Sequence, residues 1–258
     1  MKRSAIIGAG MMGREIAIVY AKAGYQVALV DATMELAQGA KEKIGEILDR
    51  DIKKGRMEES RKAEILAGIT PVSDRKQLAD YDFITEAVPE NFELKESIFK
   101  ELDGICKPET IFLSNTSTIS ITKLSQAVSQ ARKCRFLGTH YFSPASVMKL
   151  VEVIPGHLSD DDVVAKVATM MGELGKETVI VKDVPGFVVN RIYHVIMIEA
   201  LKLLEEGVAS VEDIDRACKF GMGHAVGPFE LYDNTSLDLN LTVQTELFEN
   251  YGERFRPG

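Results

Sequence analysis

Ser4-Ala5-Ile6-Ile7-Gly8-Ala9-Gly10-Met11-Met12-Gly13 is the stretch that decides the fold. Four residues of strand character run into a turn of the form GxGxxG, and an amphipathic stretch from Met11 to Ala23 follows at once. Each glycine has a physical use there: a tight turn, close backbone approach to a pyrophosphate, and close packing of helix on strand. The helix N-terminus offers N–H groups and the positive end of its dipole to an anion. An ordinary strand-to-helix turn has the same spacing, so a second signal is needed. Asp31 supplies it, eighteen residues after Gly13, at the end of a second expected strand, Val27 to Val30, that follows the break at Gly24. A carboxylate at that place accepts hydrogen bonds from the ribose hydroxyls of NAD and repels the 2′-phosphate of NADP; read alone, it is a helix cap after a strand. Gly8, Ala9, Gly10, Met11, Met12, Gly13 and Asp31 are therefore the expected cofactor-binding residues, and NAD the expected cofactor.

Working outward, short β-branched runs alternate with longer amphipathic stretches, the pattern of a parallel sheet covered by helices. Helices are expected from Met34 to about Lys54 and from Glu58 to Leu66. Further strands are expected at 82–86, 111–114, 136–139, 150–154 and 179–181. Ser159 followed by Asp162 reads as a capping pattern that opens a helix ending at Gly175. Val184-Pro185-Gly186 punctuates the chain, and the pattern beyond it is helical, with Phe187–Glu206 and Ser210–Phe220 the clearest segments. The expected organisation is an α/β domain over residues 1–183 and a smaller all-helical domain over 184–258.

The chain has 258 residues, of which 45% are hydrophobic and 27% charged, a globular balance that excludes disordered and low-complexity classes. Acidic residues (39) outnumber basic ones (31), giving a net charge of −8, the wrong sign for a nucleic-acid partner. No apolar run approaches the ~18 residues of a membrane helix, so no membrane association is expected. Met1-Lys2-Arg3 before an apolar stretch superficially resembles a signal peptide, but Arg14 and Glu15 interrupt that stretch too early. Cys106, Cys134 and Cys218 are odd in number and lack CxxC spacing, which suits a reducing cytoplasm. His157, His194 and His224 have no ligand-like spacing, so no metal is expected.

Longer matches lie in the middle of the chain: Ile84-Thr85-Glu86-Ala87-Val88-Pro89-Glu90 with Lys95 beyond it, Ser114-Asn115-Thr116-Ser117, and Gly138-Thr139-His140-Tyr141-Phe142-Ser143-Pro144. Met148 to Val153 and Lys182-Asp183-Val184-Pro185-Gly186-Phe187-Val188-Val189-Asn190-Arg191 complete them. In order and spacing these resemble the 3-hydroxyacyl-CoA dehydrogenases, including the bacterial 3-hydroxybutyryl-CoA dehydrogenases, over essentially the whole chain. The resemblance implies a Rossmann-type NAD-binding domain, a helical C-terminal domain, an acyl-CoA thioester substrate and a homodimer formed through the helical domain. It implies that His140 is the catalytic histidine, Glu152 its carboxylate partner, and Ser117 and Asn190 the residues that bind the substrate oxygen. Glu90 and Lys95 would line the nicotinamide-ribose side of the cofactor site, and Lys54 would contact coenzyme A. Ser143 stands among the expected cofactor-binding residues where asparagine is usual; serine also occurs there in peroxisomal multifunctional members. Ile47 stands where some members have a coenzyme A-contacting serine. The resemblance also implies a further glycine-rich, lysine-containing segment beyond Gly258.

Each of these residues has a plainer description. His140 ends an apolar strand and suits a hydrogen-bonded core histidine; Glu152, between Val151 and Val153, suits an exposed edge position. Asn190 suits a cap, Ser117 an ordinary polar turn, and Lys54, in Lys53-Lys54-Gly55-Arg56, a solvated helix end. Two other functions remain open on sequence: a dehydrogenase of a free hydroxy acid in the same family, and a catalytically silent NAD-binding protein.

Overall fold

A computed structural model describes residues 2–235 and 237–257, and the chain divides into two compact units, Met1–Asp183 and Val184–Gly258. The first unit is built on one sheet of eight strands: β1 Arg3–Ile7, β2 Gln26–Val30, β3 Ile69–Val72, β4 Phe83–Glu86, β5 Ile111–Ser114, β6 Phe136–Tyr141, β7 Leu150–Pro155 and β8 Glu177–Ile180. Their order across the sheet is β3-β2-β1-β4-β5-β6-β7-β8, and every pair is parallel except β6 with β7. The order reverses at β1, which has β2 on one side and β4 on the other. In such sheets the crevice at the carboxyl ends of the strands flanking the reversal is where a dinucleotide binds.

Helices α1 (Met11–Lys22), α2 (Met34–Lys53), α3 (Glu59–Ala67), α4 (Phe92–Asp103), α5 (Ile121–Leu124), α6 (Gln130–Lys133) and α7 (Asp161–Glu173) complete this unit. Alternation along the strands sorts the core between two faces. Ile6, Leu29, Phe83, Leu113, Leu137 and Val153 pack with α1, α2 and α7 on one face. On the other, Phe99 of α4 packs against Phe112 in a tilted arrangement at 5.7 Å and edge-on against Phe136 at 4.6 Å between ring centres. The parallel strands read as nearly continuous buried runs because both faces are covered.

The structure corrects the sequence reading at three places. Strand β3 was not expected, because Thr70 and Pro71 break its apolar run; proline is tolerated there since β3 is the edge of the sheet. Helix α4, opened by Asn91 accepting from Leu94 N, was likewise not expected. Helix α7 is capped by Asp160, which accepts from Asp162 N, and not by Ser159. The Ser159 hydroxyl instead donates to Phe136 O at 2.7 Å and accepts from Gly156 N at 2.8 Å, tying the loop to β6.

The second unit holds α8 (Val189–Glu205), α9 (Val211–Gly221), α10 (Pro228–Asn234) and α11 (Leu237–Tyr251). Ile198, Val243, Leu247 and Phe255 form its core, with Phe248 and Tyr251 packed against them. Gly186 has φ +73°, and a Cβ there would lie 2.6 Å from Leu247 Cδ2, so only glycine fits this entrance to α8. Arg191 lies over the Tyr251 ring at 4.2 Å, and the Tyr251 hydroxyl donates to Pro185 O at 3.1 Å.

His194 on α8 is only 5% exposed, its Nδ1 has no hydrogen-bond partner among the described residues, and burial pushes its pKa down to about 4. The unfolded chain therefore binds a proton that the native state refuses. This depressed base costs stability as pH falls below the ordinary histidine value of about 6.5, and nothing above it. Urea unfolding at pH 7 and pH 5 should show a loss of which about 2 kcal/mol disappears in His194→Leu. An unchanged pH difference in that variant contradicts the assignment.

Candidate active site

The alternation that builds the core also aligns the polar groups. On the α4 face, Ile84 is followed by Glu86, Phe112 by Ser114, and Phe136 and Gly138 by His140, so each strand exchanges an apolar for a polar side chain at its carboxyl end. Strand β7 runs antiparallel to β6 and sets Glu152 directly opposite His140. Directly opposed side chains lie on the same face of an antiparallel pair. Here the contact is a bond of 2.8 Å between His140 Nδ1 and Glu152 Oε2, with Glu152 fully buried and His140 5% exposed. The carboxylate assigns the ring proton to Nδ1. Nε2 is then the acceptor, and the Ser117 hydroxyl donates to it at 3.2 Å. The edge-on Phe142 ring, 4.7 Å away, covers the imidazole.

Ser117 sits on a loop held by Glu90. One Glu90 oxygen, Oε1, accepts from Ser117 N and Thr118 N, both at 2.9 Å, and from the Thr116 hydroxyl at 2.5 Å. The other oxygen lies 3.2 Å from Lys95 Nζ. Lys95 was expected to line the cofactor site, but it is fully buried, donating to Glu86 Oε1 at 2.6 Å and to Val88 O at 3.3 Å. Burial pushes the Glu86 carboxyl above the usual range against the opposing pull of Lys95, the Ser114 hydroxyl and Val88 N. For Glu90, burial also acts upward, but Lys95 and the Thr116, Thr118 and Ser117 donors outweigh it and hold the group below its usual value.

Sequence reasoning missed Glu86, Thr116 and Asn115, whose Oδ1 accepts from Tyr141 N at 2.9 Å and ties the end of β5 to β6. Glu86 carried a usable signal: a carboxylate closing an apolar strand requires a cation, and Lys95 follows nine residues later.

The glycine turn lies at the carboxyl end of β1. Gly8 has φ +96°, and a Cβ on it would come 2.8 Å from Ala87 O; a Cβ on Gly13 would come 1.7 Å from Gly8 O. A Cβ on Gly10 would meet no protein atom within 4 Å, so the space it faces is open to a ligand. Helix α1 begins there with no side-chain cap and no acidic residue in its first turn, leaving its N-terminal donors and dipole to an anion. Ala9 N donates to Asp31 Oδ2 at 2.8 Å and Ala32 N to Oδ1 at 2.7 Å, which fixes the carboxylate beside the turn. This donor set fits a dinucleotide.

The remaining expected residues lie elsewhere. Ser143 is exposed at the start of the connection between β6 and β7. Lys54 is exposed at the C-terminus of the 20-residue helix α2, at the opposite end from Asp31, about 30 Å of helix away. Asn190 stands half-buried in the first turn of α8, in the second unit. Among the described residues, no group of three or more His, Cys, Asp or Glu side chains could hold a metal ion, and no helix is long and apolar enough to cross a membrane.

Residues 3–184 match the NAD-binding domain of 3-hydroxyacyl-CoA dehydrogenase, and residues 186–258 match its C-terminal domain. The chain belongs to the 3-hydroxyacyl-CoA dehydrogenase family. It is 38% identical over 253 residues to a 3-hydroxybutyryl-CoA dehydrogenase of Clostridioides difficile, covering 96% of this chain and 88% of that one. It is 40% identical over 245 residues to the mitochondrial hydroxyacyl-coenzyme A dehydrogenase of Sus scrofa, covering 92% and 77%. The crystal structure of (S)-3-hydroxybutyryl-CoA dehydrogenase from Ralstonia eutropha superposes with a TM-score of 0.94 at 41% identity, covering all of this chain and 90% of that one.

In this 3-hydroxyacyl-CoA dehydrogenase the fully buried Lys95 ammonium answers the fully buried Glu86 carboxylate and also reaches the more exposed Glu90. Removing one partner of such a buried set leaves uncompensated charge, at a cost of about 3–5 kcal/mol. Lys95→Met should lower unfolding stability in urea by that amount, and adding Glu86→Gln should recover part of it. A loss below about 1 kcal/mol is the contrary result.

Proposed function

We propose that this protein oxidises the 3-hydroxyl of an L-3-hydroxyacyl-CoA to the ketone with NAD, and runs the reverse reduction. The observation that carries the reading is the chain Ser117 Oγ–His140 Nε2, His140 Nδ1–Glu152 Oε2, at 3.2 and 2.8 Å. NAD, when bound, supplies the acceptor for the hydride that leaves C3. The glycine turn, Met11 and Met12 at the start of α1, and Asp31 are the residues that would hold it, with Glu90 and Ser143 toward its nicotinamide end and Lys95 acting through Glu90. Asp31 sets the choice of NAD over NADP, because a 2′-phosphate would bring like charge against it.

The proton is this chain's task. His140 Nε2 takes it from the substrate hydroxyl during oxidation and returns it during reduction, a role suited to a side chain that ordinarily titrates near neutrality. Glu152 accepts from Nδ1, keeps the tautomer with Nε2 bare, and stabilises the imidazolium that forms. Ser117 and Asn190 hydrogen-bond the substrate oxygen as its charge changes in the transition state. Lys54, with Lys53 and Arg56, meets the phosphates of coenzyme A. Residues 1–183 serve as the cofactor-binding domain, and residues 184–258 as the helical domain through which two copies pair, a role for the exposed apolar Ile192 (59%) and Val195 (45%). The cytoplasm is the compartment that suits its unpaired cysteines and acidic balance.

NADH oxidation should be fast with acetoacetyl-CoA or longer 3-ketoacyl-CoA substrates and slow with free acetoacetate. His140→Gln should lower kcat by roughly 10²–10⁴ while NADH affinity stays nearly unchanged. A kcat within a few-fold of wild type in that variant, with NADH still bound, removes His140 as the base.

A further inference from the structure

The connection between β6 and β7 runs over residues 142–149, longer than the two to five residues that usually join antiparallel neighbours. Two buried charges grip its backbone. Ser146 N donates to Glu15 Oε2 at 3.0 Å. Lys176 Nζ donates to Met148 O at 2.8 Å and also to Ala145 O. Glu15 is 9% exposed and Lys176 8%, while Ala145, at 1%, packs into the core cluster shared with α1 and α7. Burial pulls the Lys176 ammonium below its usual value, Lys22 adds to this, and the Glu15 carboxylate opposes it, so the two gripping charges also attract each other.

Burying a carboxylate and an ammonium is costly, and a plain hairpin would need neither. What the pair achieves is placement. Glu15 lies on α1, just after Gly13, at the end of the helix whose free N–H groups face the phosphate site. The segment beginning at Ser143 is thereby seated against the cofactor-binding helix, and through β6 and β7 the same connection is continuous with His140 and Glu152.

We propose that Glu15 and Lys176 are positioning residues for cofactor binding: Glu15 ties residues 143–148 to α1, and Lys176, in the connection between α7 and β8, holds the carbonyls of the same segment, so that Ser143 is presented to the dinucleotide. The inference rests on Ser143 contacting the cofactor, as in the function proposed above. Neither residue touches the reacting atoms, and their effect passes through the loop.

The test is direct NADH binding to the full chain, followed by fluorescence without acyl substrate, for wild type, Glu15→Ala, Glu15→Gln, Lys176→Met, Ser143→Ala and the Glu15→Ala/Ser143→Ala pair. Glu15→Ala and Lys176→Met should each weaken NADH binding about tenfold, as expected for losing charge-assisted hydrogen bonds that hold a binding group. The KM for acetoacetyl-CoA should stay within about twofold, because the loop is placed at the cofactor and not at the thioester. Glu15→Gln keeps an oxygen for Ser146 N and should retain most of the affinity. In the Ser143→Ala background, Glu15→Ala should weaken NADH much less than it does alone, since both changes remove one contact. Amide hydrogen exchange at 142–149 reports independently whether the clamp has been released. Faster exchange there with NADH affinity unchanged, or fully additive effects in the double variant, overturns the proposal and leaves the clamp a feature of the fold. Failure of the wild type to bind NADH at all would instead overturn the dehydrogenase reading on which it rests.

Discussion

An imidazole is a useful base only if it presents the same bare nitrogen on every turnover, and in this chain that depends on one strand running backwards. Were β7 parallel to β6, like the other neighbours in the sheet, its connection would need a crossover and Glu152 would not face His140 across a two-strand register. The antiparallel pairing sets the two residues opposite each other, and the full burial of Glu152 leaves the carboxylate with the His140 Nδ1 proton at 2.8 Å. The tautomer follows from the strand direction.

The second support is electrostatic. Ser117 reaches His140 because its loop is hung from Glu90, and Glu90 is held by an ammonium that also answers Glu86. A loop of Ser, Thr and Asn residues has many conformations available to it. Four donors converging on one carboxylate oxygen select a single one. The buried charges stabilise the fold less than an apolar cluster would, and their use here is geometric specificity.

Much of this was legible in the sequence where chemistry and periodicity agree. The strand, glycine turn and helix at Ser4–Gly13, and Asp31 beyond them, could be read from spacing because steric limits at Gly8 and Gly13 admit nothing else. Strand β3 was hidden because an edge position tolerates Pro71, which in a central strand would argue against pairing. Alternation locates β6 and β7 but carries no direction; a carboxylate between Val151 and Val153 asks for a partner such as His140, yet the strand register that supplies it is not written in the spacing. Lys95 was placed only by resemblance, on the nicotinamide-ribose side of the cofactor site, and its burial could not be read because its partner Glu86 sits on a different element. Ser159 looked like a cap because its hydroxyl is equally suited to the strand carbonyl of Phe136 that it in fact serves.

The central claim is that one ionising pair, His140 with Glu152, handles the proton in both directions. Its most direct test is the pH dependence of kcat/KM measured for both directions with the same wild-type enzyme. Reduction of acetoacetyl-CoA needs the protonated ring and should fall as pH rises; oxidation of L-3-hydroxybutyryl-CoA needs the bare nitrogen and should fall as pH drops. The two limbs should mirror each other about one apparent ionisation, and both should be lost in His140→Gln. Limbs of the same sense, or limbs that persist unchanged in that variant, would contradict the account.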